Sequence, residues 1–507
     1  MGKPASLRLM ASSHREILKS SSIVGGAQAI NYVIGLLRTK AVALLLGPSG
    51  VGLVGLYVSA IGLVGTFAQF GINESGVREV AAAAGTGNAE RVAATAKTLR
   101  RVCWASGIFG WVLTAALAWP LAKWTFGSPE HAWAIAILGC AVLLDLVAGG
   151  QRALLQGVRK IGDLARIQLA SAIVATVLAV SVYWCLGQKG ILPVIILTSL
   201  VQLGTSWWFS RRIELLPVRQ TWPETWRNSA ALVQLGSAFM YGALLAGVVG
   251  LAVRAVIVRD LGIEAAGIYQ AAWALSGMFG AFVLQAMGAD FYPRLTAVAS
   301  DDVQVTKLVN EQMEVGMLLA LPGVLGAIIF APWLMTLFYS KQFLAGGDLL
   351  AWFAAGVFVQ VITWPLGMVQ RAKGSTGWIF ASQTHLNLLS LLLVFAGVRF
   401  FGLAAAAWAF VVAGAIHGFV VRFIAGRLAQ YRMSAECTAI LLLSAVAILL
   451  CSLVRWGMHG APAVLTGAVI VLAGSVLCLR ALAKATGADS RLSVLIAKFP
   501  GAHFLLR

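Results

Sequence analysis

The chain has 507 residues, of which 60% are hydrophobic and 11% are charged, under half the charged fraction of about 25% that is usual in soluble domains. A soluble protein of this size cannot bury so much apolar surface and still present a charged exterior. The composition therefore excludes a disordered protein, a secreted disulfide-stabilised domain and a cytosolic enzyme. The few charges still sum to +19, and this basic excess requires a location.

Long apolar segments recur along the whole chain. A membrane-spanning helix needs about 20 mostly apolar residues, whereas a transmembrane β-barrel would show alternating segments of about 10 residues. We therefore predict an all-α polytopic membrane protein with about 14 transmembrane helices. The predicted spans are 17–46, 50–72, 103–126, 132–155, 167–187, 191–210, 229–258, 267–292, 313–339, 349–370, 377–397, 401–424, 437–454 and 463–479.

The basic residues alternate between the two sides of these spans. If the N-terminus is cytoplasmic, 29 of the 38 Lys and Arg residues lie in cytoplasmic tails and connections, and 5 lie in periplasmic ones. This strong positive-inside pattern predicts a bacterial inner-membrane protein with both termini in the cytoplasm. The bilayer, and not nucleic acid, is thus the expected partner of the basic charge. Because Arg38 and Lys40 interrupt the first apolar segment and further spans follow, we expect no cleaved signal peptide.

Nothing outside the predicted spans offers room for catalysis. The longest polar stretches, 73–102 and 211–228, are cytoplasmic, and the periplasmic connections are about ten residues or shorter. The six cysteines lie in or beside spans without a Cys-x-x-Cys pair, and we interpret them as small apolar residues. No nucleotide-binding Gly-x-x-x-x-Gly-Lys-Ser/Thr motif occurs. We expect a protein that is not an enzyme and has no cofactor, no catalytic residue and no metal site.

A short motif occurs twice, six spans apart. A basic residue, Arg38 or Arg254, precedes a Leu-Gly pair by eight or nine positions in each copy, and Gly-apolar-Tyr follows, ending at Tyr57 and Tyr269. This spacing predicts a parallel repeat of two six-helix lobes. The expected domains are an N-lobe at 1–228 (spans 1–6), a C-lobe at 229–432 (spans 7–12), and an added helix pair with a cytoplasmic tail at 433–507.

Four basic residues lie within or at the ends of spans. An ionised Arg near the bilayer centre costs about 2.5–3.5 kcal/mol on insertion scales, so it requires water, a counter-ion or a substrate. In span 1, a polar stripe on one helix face ends at Arg38, since its members are spaced i, i+3, i+7 and i+10. That stripe consists of Gln28, Asn31, Gly35 and Arg38. Lys40 lies on roughly the opposite side, and snorkelling to the outer surface is the alternative for both basic residues.

Span 7 repeats the arrangement of an Arg beside small residues. Gly247, Gly250 and Arg254 are spaced i, i+3 and i+7, which leaves space around the guanidinium. Arg259 adjoins Asp260 at the outer end, where a surface ion pair is the expected role. Two further acids, Asp145 in span 4 and Asp290 in span 8, are candidates for an ion pair or for coupling, and Asp145 has Arg152 two turns away on its own face.

Arginines at corresponding places in two lobes would line a shared cationic cavity. Guanidinium groups bind phosphate bidentately. The residues alone thus predict an exporter or flippase for an anionic, phosphorylated substrate, with Arg38, Arg254, Lys40, Gln28 and Asn31 as the substrate-binding set.

Several motifs resemble Wzx-type translocases of the multidrug/oligosaccharidyl-lipid/polysaccharide exporter superfamily. They are GLLRTKAVALLLGPSGVGL at 35–53, GINESGVR at 71–78, GIYQ at 267–270 and FYPRL at 291–295. The resemblance covers about 17–432 and implies alternating access between two lobes for undecaprenyl-pyrophosphate-linked repeat units of O-antigen or related polysaccharides. The cationic cavity would then hold the pyrophosphate and sugars, with Arg38 as the family's basic residue in span 1. A polysaccharide polymerase and a chain-length regulator become expected partners.

Three alternatives remain at this point. A lipid II flippase shares the superfamily and 14 spans. A MATE-type drug antiporter should have an acidic cavity, whereas Asp145 is the only acid deep in a span. A polymerase or ligase should carry a large periplasmic loop, and the sequence has none.

Overall fold

The computed structural model describes residues 5–458 and 460–486; side chains in these ranges are described except at 5–25, 27, 228, 230–239, 286, 289, 290, 485 and 486. These residues form fourteen α-helices and no strand. The helices are α1 (Ala5–Gln69), α2 (Ile72–Gly85), α3 (Ala89–Phe126), α4 (Ala132–Gly157), α5 (Ile161–Leu186), α6 (Ile191–Ser210), α7 (Trp222–Leu261), α8 (Ile263–Ala297), α9 (Asp302–Phe338), α10 (Gly346–Ala372), α11 (Thr376–Phe401), α12 (Ala404–Ala429), α13 (Ala435–Gly457) and α14 (Gly460–Thr486).

Helix α1 contains two of the predicted spans, separated by a sharp break. Gly47 has φ 64° and ψ −174°, a conformation that glycine adopts and residues with a Cβ avoid. Pro48 follows and has no backbone N–H to continue the helical hydrogen bonds. A Cβ placed on Gly50 would lie only 2.4 Å from the Leu46 Cβ, so the chain turns abruptly here. The predicted spans 17–46 and 50–72 are therefore the two halves of one broken helix.

Of the two longest polar stretches of the sequence, the first is largely helical and the second ends in the first turns of a helix. Residues 73–102 form α2 and the first turns of α3, and Asn88 caps α3 by accepting the backbone N–H groups of Glu90 and Arg91. At the second stretch, Thr221 and Glu224 form a reciprocal capping box that starts α7 at Trp222. Such caps satisfy backbone donors that a helix end leaves unpaired, so these helices extend well beyond the apolar spans.

Twelve helical stretches in the described ranges are long and apolar enough to cross a membrane. Two of these stretches contain an internal break or turn and are long enough for two crossings. Gln28–Gln69 has 42 residues and contains the break at Gly47, and Ile161–Ser210 has 50 residues and joins α5 to α6 through a 3-10 turn. At 1.5 Å per residue each suffices for two passes through a hydrocarbon layer of about 30 Å. The prediction of an all-α polytopic membrane protein is confirmed.

The chain forms two compact units, Met1–Glu264 and Ala265–Arg507. The division falls one helix later than the lobe boundary predicted at 228, because α7 packs on α1, α2 and α3. Within the first unit, α4 packs against α3 and α6, and α5 against α6. The second unit repeats these pairs with a shift of six helices, as α10 packs against α9 and α12, and α11 against α12. Helices α13 and α14 both pack on α9, as an added pair.

The core of the first unit surrounds α4. Ile135 and Leu138 of α4 are fully buried and pack among Leu46 and Tyr57 of α1 and Tyr183 of α5. By contrast, α13 presents a row of large exposed apolar side chains, among them Leu442, Leu443, Val446, Leu449 and Leu453. An exposed apolar row of this length is typical of a lipid-facing helix.

Candidate functional site

The first half of α1 places Arg38 in the apolar part of the helix bundle. Arg38 precedes the break at Gly47 by nine residues, or about 13 Å at 1.5 Å per residue. The side chain is half-buried and lies in electrostatic range of the Tyr183 hydroxyl on α5. Tyr183 is itself buried, and it belongs to α5, which packs against α1.

The rest of the predicted polar stripe lies on the same half of α1. Gln28 and Asn31 are half-buried, as Arg38 is, whereas Gly35, which lies between Asn31 and Arg38, is exposed. Lys40 is also half-buried and lies two residues further, on another face of the helix. The polar side chains of the stripe are therefore partly exposed.

The second predicted arginine, Arg254, belongs to α7 and therefore also to the first unit. It precedes Gly262 at the helix end by eight residues, or about 12 Å, close to the depth of Arg38 below its own turn. Its Nη1 donates to the Gly250 carbonyl at 2.8 Å. A Cβ on Gly250 would lie 3.3 Å from the same Nη1, and one on Gly247 would lie 3.4 Å from Leu63 of α1. The glycine face thus accommodates the guanidinium and the contact with α1.

A second polar group connects α4 to α6. Asp145 of α4 is exposed although both its neighbours in sequence are buried, and it interacts with the Ser199 hydroxyl and electrostatically with Arg152. Arg152 in turn donates a short hydrogen bond from Nη1 to Gln202 Oε1. The acid and the arginine predicted to share one face of α4 therefore lie in one network that α6 completes.

The remaining charged residues singled out in the sequence are Asp290 and Arg259. The backbone of Asp290 belongs to α8, but its side chain lies outside the described residues, so its predicted role stays a prediction. At the C-terminal end of α7, Arg259 Nη2 donates to the Lys123 carbonyl at 2.7 Å. That contact ties α7 to the end of α3.

The partners of Arg38, Asp145 and Arg152 could not be predicted from the sequence. Tyr183, Ser199 and Gln202 are isolated polar residues in apolar spans, and no local spacing connects them to α1 or α4. Guanidinium groups can bind an anion, and hydroxyl and amide groups can hydrogen-bond to a polar ligand. That these side chains form one binding site stays a prediction.

Comparisons with known proteins identify related sequences and folds. A family model described as "Polysaccharide biosynthesis protein" matches residues 41–346, more than half of the 507 residues. No curated protein sequence matches the chain significantly.

Solved structures with a similar fold include "Lipid II flippase MurJ, inward closed conformation", with a TM-score of 0.64 and 14% identity over 90% of this chain and 99% of MurJ. An inward-facing multidrug resistance MATE family transporter of the MOP superfamily has a TM-score of 0.62 and 16% identity over 79% of this chain and 96% of the transporter. The bent form of the Vibrio cholerae MATE transporter VcmN has a TM-score of 0.51 and 15% identity over 81% of this chain and 98% of VcmN. These likenesses show that the chain has the fold of these transporters and flippases.

Proposed function

The chain belongs to the polysaccharide biosynthesis protein family, and on this premise we propose that it is a flippase for lipid-linked oligosaccharides. Its substrate is a repeat unit of O-antigen or exopolysaccharide linked to undecaprenyl pyrophosphate. The protein moves this unit from the cytoplasmic to the periplasmic leaflet of the bacterial inner membrane by alternating access.

The observation that carries the proposal is Arg38 within the apolar bundle, half-buried and in electrostatic range of the Tyr183 hydroxyl. An ionised arginine at this depth costs about 2.5–3.5 kcal/mol on insertion scales. A bound pyrophosphate would offset that cost, because a guanidinium forms paired, charge-assisted hydrogen bonds with phosphate oxygens. The Tyr183 hydroxyl can donate to the same group.

The other polar side chains of the first unit complete the proposed site. Arg254 and Lys40 supply further positive charge for the pyrophosphate. Gln28 and Asn31 supply amides that can hydrogen-bond to sugar hydroxyls. The prenyl chain stays in the lipid. Asp145 acts through its network with Arg152, as an ion pair or as a coupling residue.

The charge of the substrate assigns a role to the membrane potential. Two negative charges that move outward against an inside-negative potential gain about 4.6 kcal/mol per 100 mV. This energy favours release in the periplasm, where a polysaccharide polymerase and a chain-length regulator are the proposed downstream partners.

Surface polysaccharide in a bacterium that lacks its own flippase tests the proposal. Complementation with the wild-type chain should restore the polysaccharide, and Arg38→Gln should abolish it at an unchanged level of protein in the membrane. Arg38→Lys keeps the charge and should retain part of the activity. Arg254→Gln should cause partial or full loss. Arg259→Gln is the matched control, because that arginine donates to a backbone carbonyl at the outer end, and it should leave the polysaccharide normal.

The same strains separate the alternatives. Normal polysaccharide with both Arg38→Gln and Arg254→Gln would show that these residues only snorkel toward the surface. Restoration of peptidoglycan-precursor flipping or of drug resistance, without restoration of polysaccharide, would identify a lipid II flippase or a MATE-type drug antiporter instead.

A further inference from the structure

A separate cavity opens between α3 and α6 at the end of the first unit where basic residues cluster. It has a volume of about 740 Å³ and contains Arg100 and Arg211 among its lining residues. Helices α3 and α6 both pack on α4, and α4 forms the floor between them. The positive-inside pattern assigns this end to the cytoplasmic side.

The floor of the cavity is closely packed and held by hydrogen bonds. Gly150 lines it, and a Cβ there would overlap the Cys103 Sγ. Helices α3 and α4 are therefore closely packed at this point. Gln151, one residue on, is buried and accepts a 2.8 Å hydrogen bond from Ser206 of α6. The groove is therefore a formed feature of three fixed helices.

The walls of the cavity carry exposed apolar side chains. Trp104 of α3 and Trp207 of α6 line it and are 48% and 51% exposed. Leu200 lies two turns from Trp207 on the same helix, and it too is exposed. Exposed tryptophans near the ends of spans are characteristic of the membrane interface. An acyl chain can contact this surface while a polar group reaches the basic mouth.

Neighbouring basic residues at the mouth differ in what they bind. Lys97 donates to the Val218 carbonyl at 2.7 Å, and Arg101 donates to the Gln220 carbonyl at 2.9 Å and to the Thr225 hydroxyl at 2.8 Å. These two residues hold the connection between α6 and α7 against α3. Arg100 lies between them in sequence, yet within the described ranges it has no hydrogen-bond or ion-pair partner.

Arg211 is positioned by aromatic rings and not by an acid. Its guanidinium lies 3.8 Å from the ring centroid of Trp208 and 4.7 Å from that of Trp207, distances at which a cation and an aromatic face attract each other. Glu214 belongs to the same connection, but it does not line the cavity. Two guanidinium groups therefore face a cavity with no carboxylate in its lining.

We propose that this groove binds the headgroup of an anionic glycerophospholipid from the adjacent leaflet. Arg100 and Arg211 contact the phosphate, the two indoles flank the glycerol backbone, and the acyl chains lie along the exposed faces of α3 and α6. The residues differ from those of the proposed translocation site, so the inference does not depend on the translocated substrate.

Native mass spectrometry of the purified full chain tests the proposal. Phosphatidylglycerol and phosphatidylcholine with identical acyl chains are titrated in parallel, and the wild type should bind the anionic lipid more tightly. Each Arg near an anionic lipid surface contributes about fivefold in affinity, so Arg100→Gln with Arg211→Gln should weaken phosphatidylglycerol binding roughly 30-fold. The matched control combines Arg91→Gln and Arg212→Gln, whose side chains do not line the cavity, and should keep the wild-type preference.

A second variant fills the groove and keeps both arginines. Gly204 lines the cavity, and a Cβ there meets no atom within 4 Å, so Gly204→Leu can occupy the lipid space without disturbing the fold. It should reduce phosphatidylglycerol binding as the double arginine variant does. Gly377→Leu, at an equally open position on α11, should leave binding unchanged.

Three results would overturn the proposal. The first is equal affinity of the wild type for both lipids, and the second is wild-type affinity for phosphatidylglycerol in a monodisperse preparation of the double variant. The third is undecaprenyl pyrophosphate that displaces phosphatidylglycerol from the wild type and itself binds Gly204→Leu more weakly than the wild type, which would show that the groove receives the lipid-linked substrate. Loss of polysaccharide with Arg38→Gln tests the translocation site alone, so the two proposals fail separately.

Discussion

Asn310 of α9 holds the start of the added helix pair, and its removal should loosen the second unit. The side chain is 7% exposed. Its Nδ2 donates to the Arg432 carbonyl at 2.9 Å, and its Oδ1 accepts from the Tyr431 hydroxyl at 2.8 Å and from the Ser434 N–H at 3.2 Å. Burial raises the pKa of Tyr431 above its usual range, so the hydroxyl stays protonated and remains a donor.

The magnitude follows from these three contacts between elements. A typical hydrogen bond contributes about 1 kcal/mol, and a buried group left without a partner costs about 1–3 kcal/mol. In Asn310→Ala, the backbone groups of Arg432 and Ser434 lie close to the helix ends and can recover water, whereas the buried Tyr431 hydroxyl keeps only the weak thioether acceptor of Met313, at 3.4 Å. We expect a loss of about 2–3 kcal/mol, which lowers the melting temperature of a unit of this size by roughly 5–10 °C.

Thermal unfolding of the purified protein in one detergent, followed by tryptophan fluorescence, measures the shift. Asn387→Ala is the control, because that half-buried asparagine donates only within its own helix, to the Gln383 carbonyl at 2.9 Å, and should lower the melting temperature much less. Tyr431→Phe combined with Asn310→Ala should cost less than the sum of the single changes. An Asn310→Ala melting temperature equal to that of Asn387→Ala would refute the reasoning.

Three further changes test other contacts. Burial lowers the pKa of His131 below its ordinary value of 6.5, so the fold favours the neutral ring and stability should fall as the pH drops through that value. The melting temperature of His131→Gln should therefore depend less on pH between 7.5 and 5.5 than that of the wild type. A pH dependence equal to that of the wild type would contradict this role. Thr221→Ala removes the cap of α7 and should cost about 1 kcal/mol, seen as faster tryptic cleavage at Arg219; an unchanged cleavage rate would contradict the capping role. Gly250→Val should displace the guanidinium of Arg254, since a Cβ there lies 3.3 Å from Nη1; normal surface polysaccharide would show that this position does not matter.

The helices could be predicted from the sequence because the length and apolarity of a span are local properties. The break at Gly47 was visible only as a Gly-Pro pair, and its sharpness depends on the contact between Gly50 and Leu46. The polar stretch 73–102 was predicted to be cytoplasmic, which stays a prediction, and the start of α3 within it depends on the cap at Asn88.

The candidate site could be predicted only in part. Intramembrane charge identified Arg38 and Asp145, because an ion in an apolar segment is unusual wherever the chain folds. Their contacts with Tyr183 and Ser199 depend on which helices are adjacent, and one sequence does not specify that. Arg254 was expected in the second lobe from the repeat spacing, whereas the packing of α7 groups it with the first unit.

Translocation by the purified protein tests the central claim most directly. Proteoliposomes would carry a fluorescent oligosaccharide linked to undecaprenyl pyrophosphate in the inner leaflet, and an impermeant glycosidase outside would report its arrival in the outer leaflet. We expect wild-type protein and Arg259→Gln to make the oligosaccharide accessible, and Arg38→Gln to leave it protected. An oligosaccharide that stays protected with folded, membrane-inserted wild-type protein, or that crosses equally fast with Arg38→Gln, would contradict the proposed flippase function.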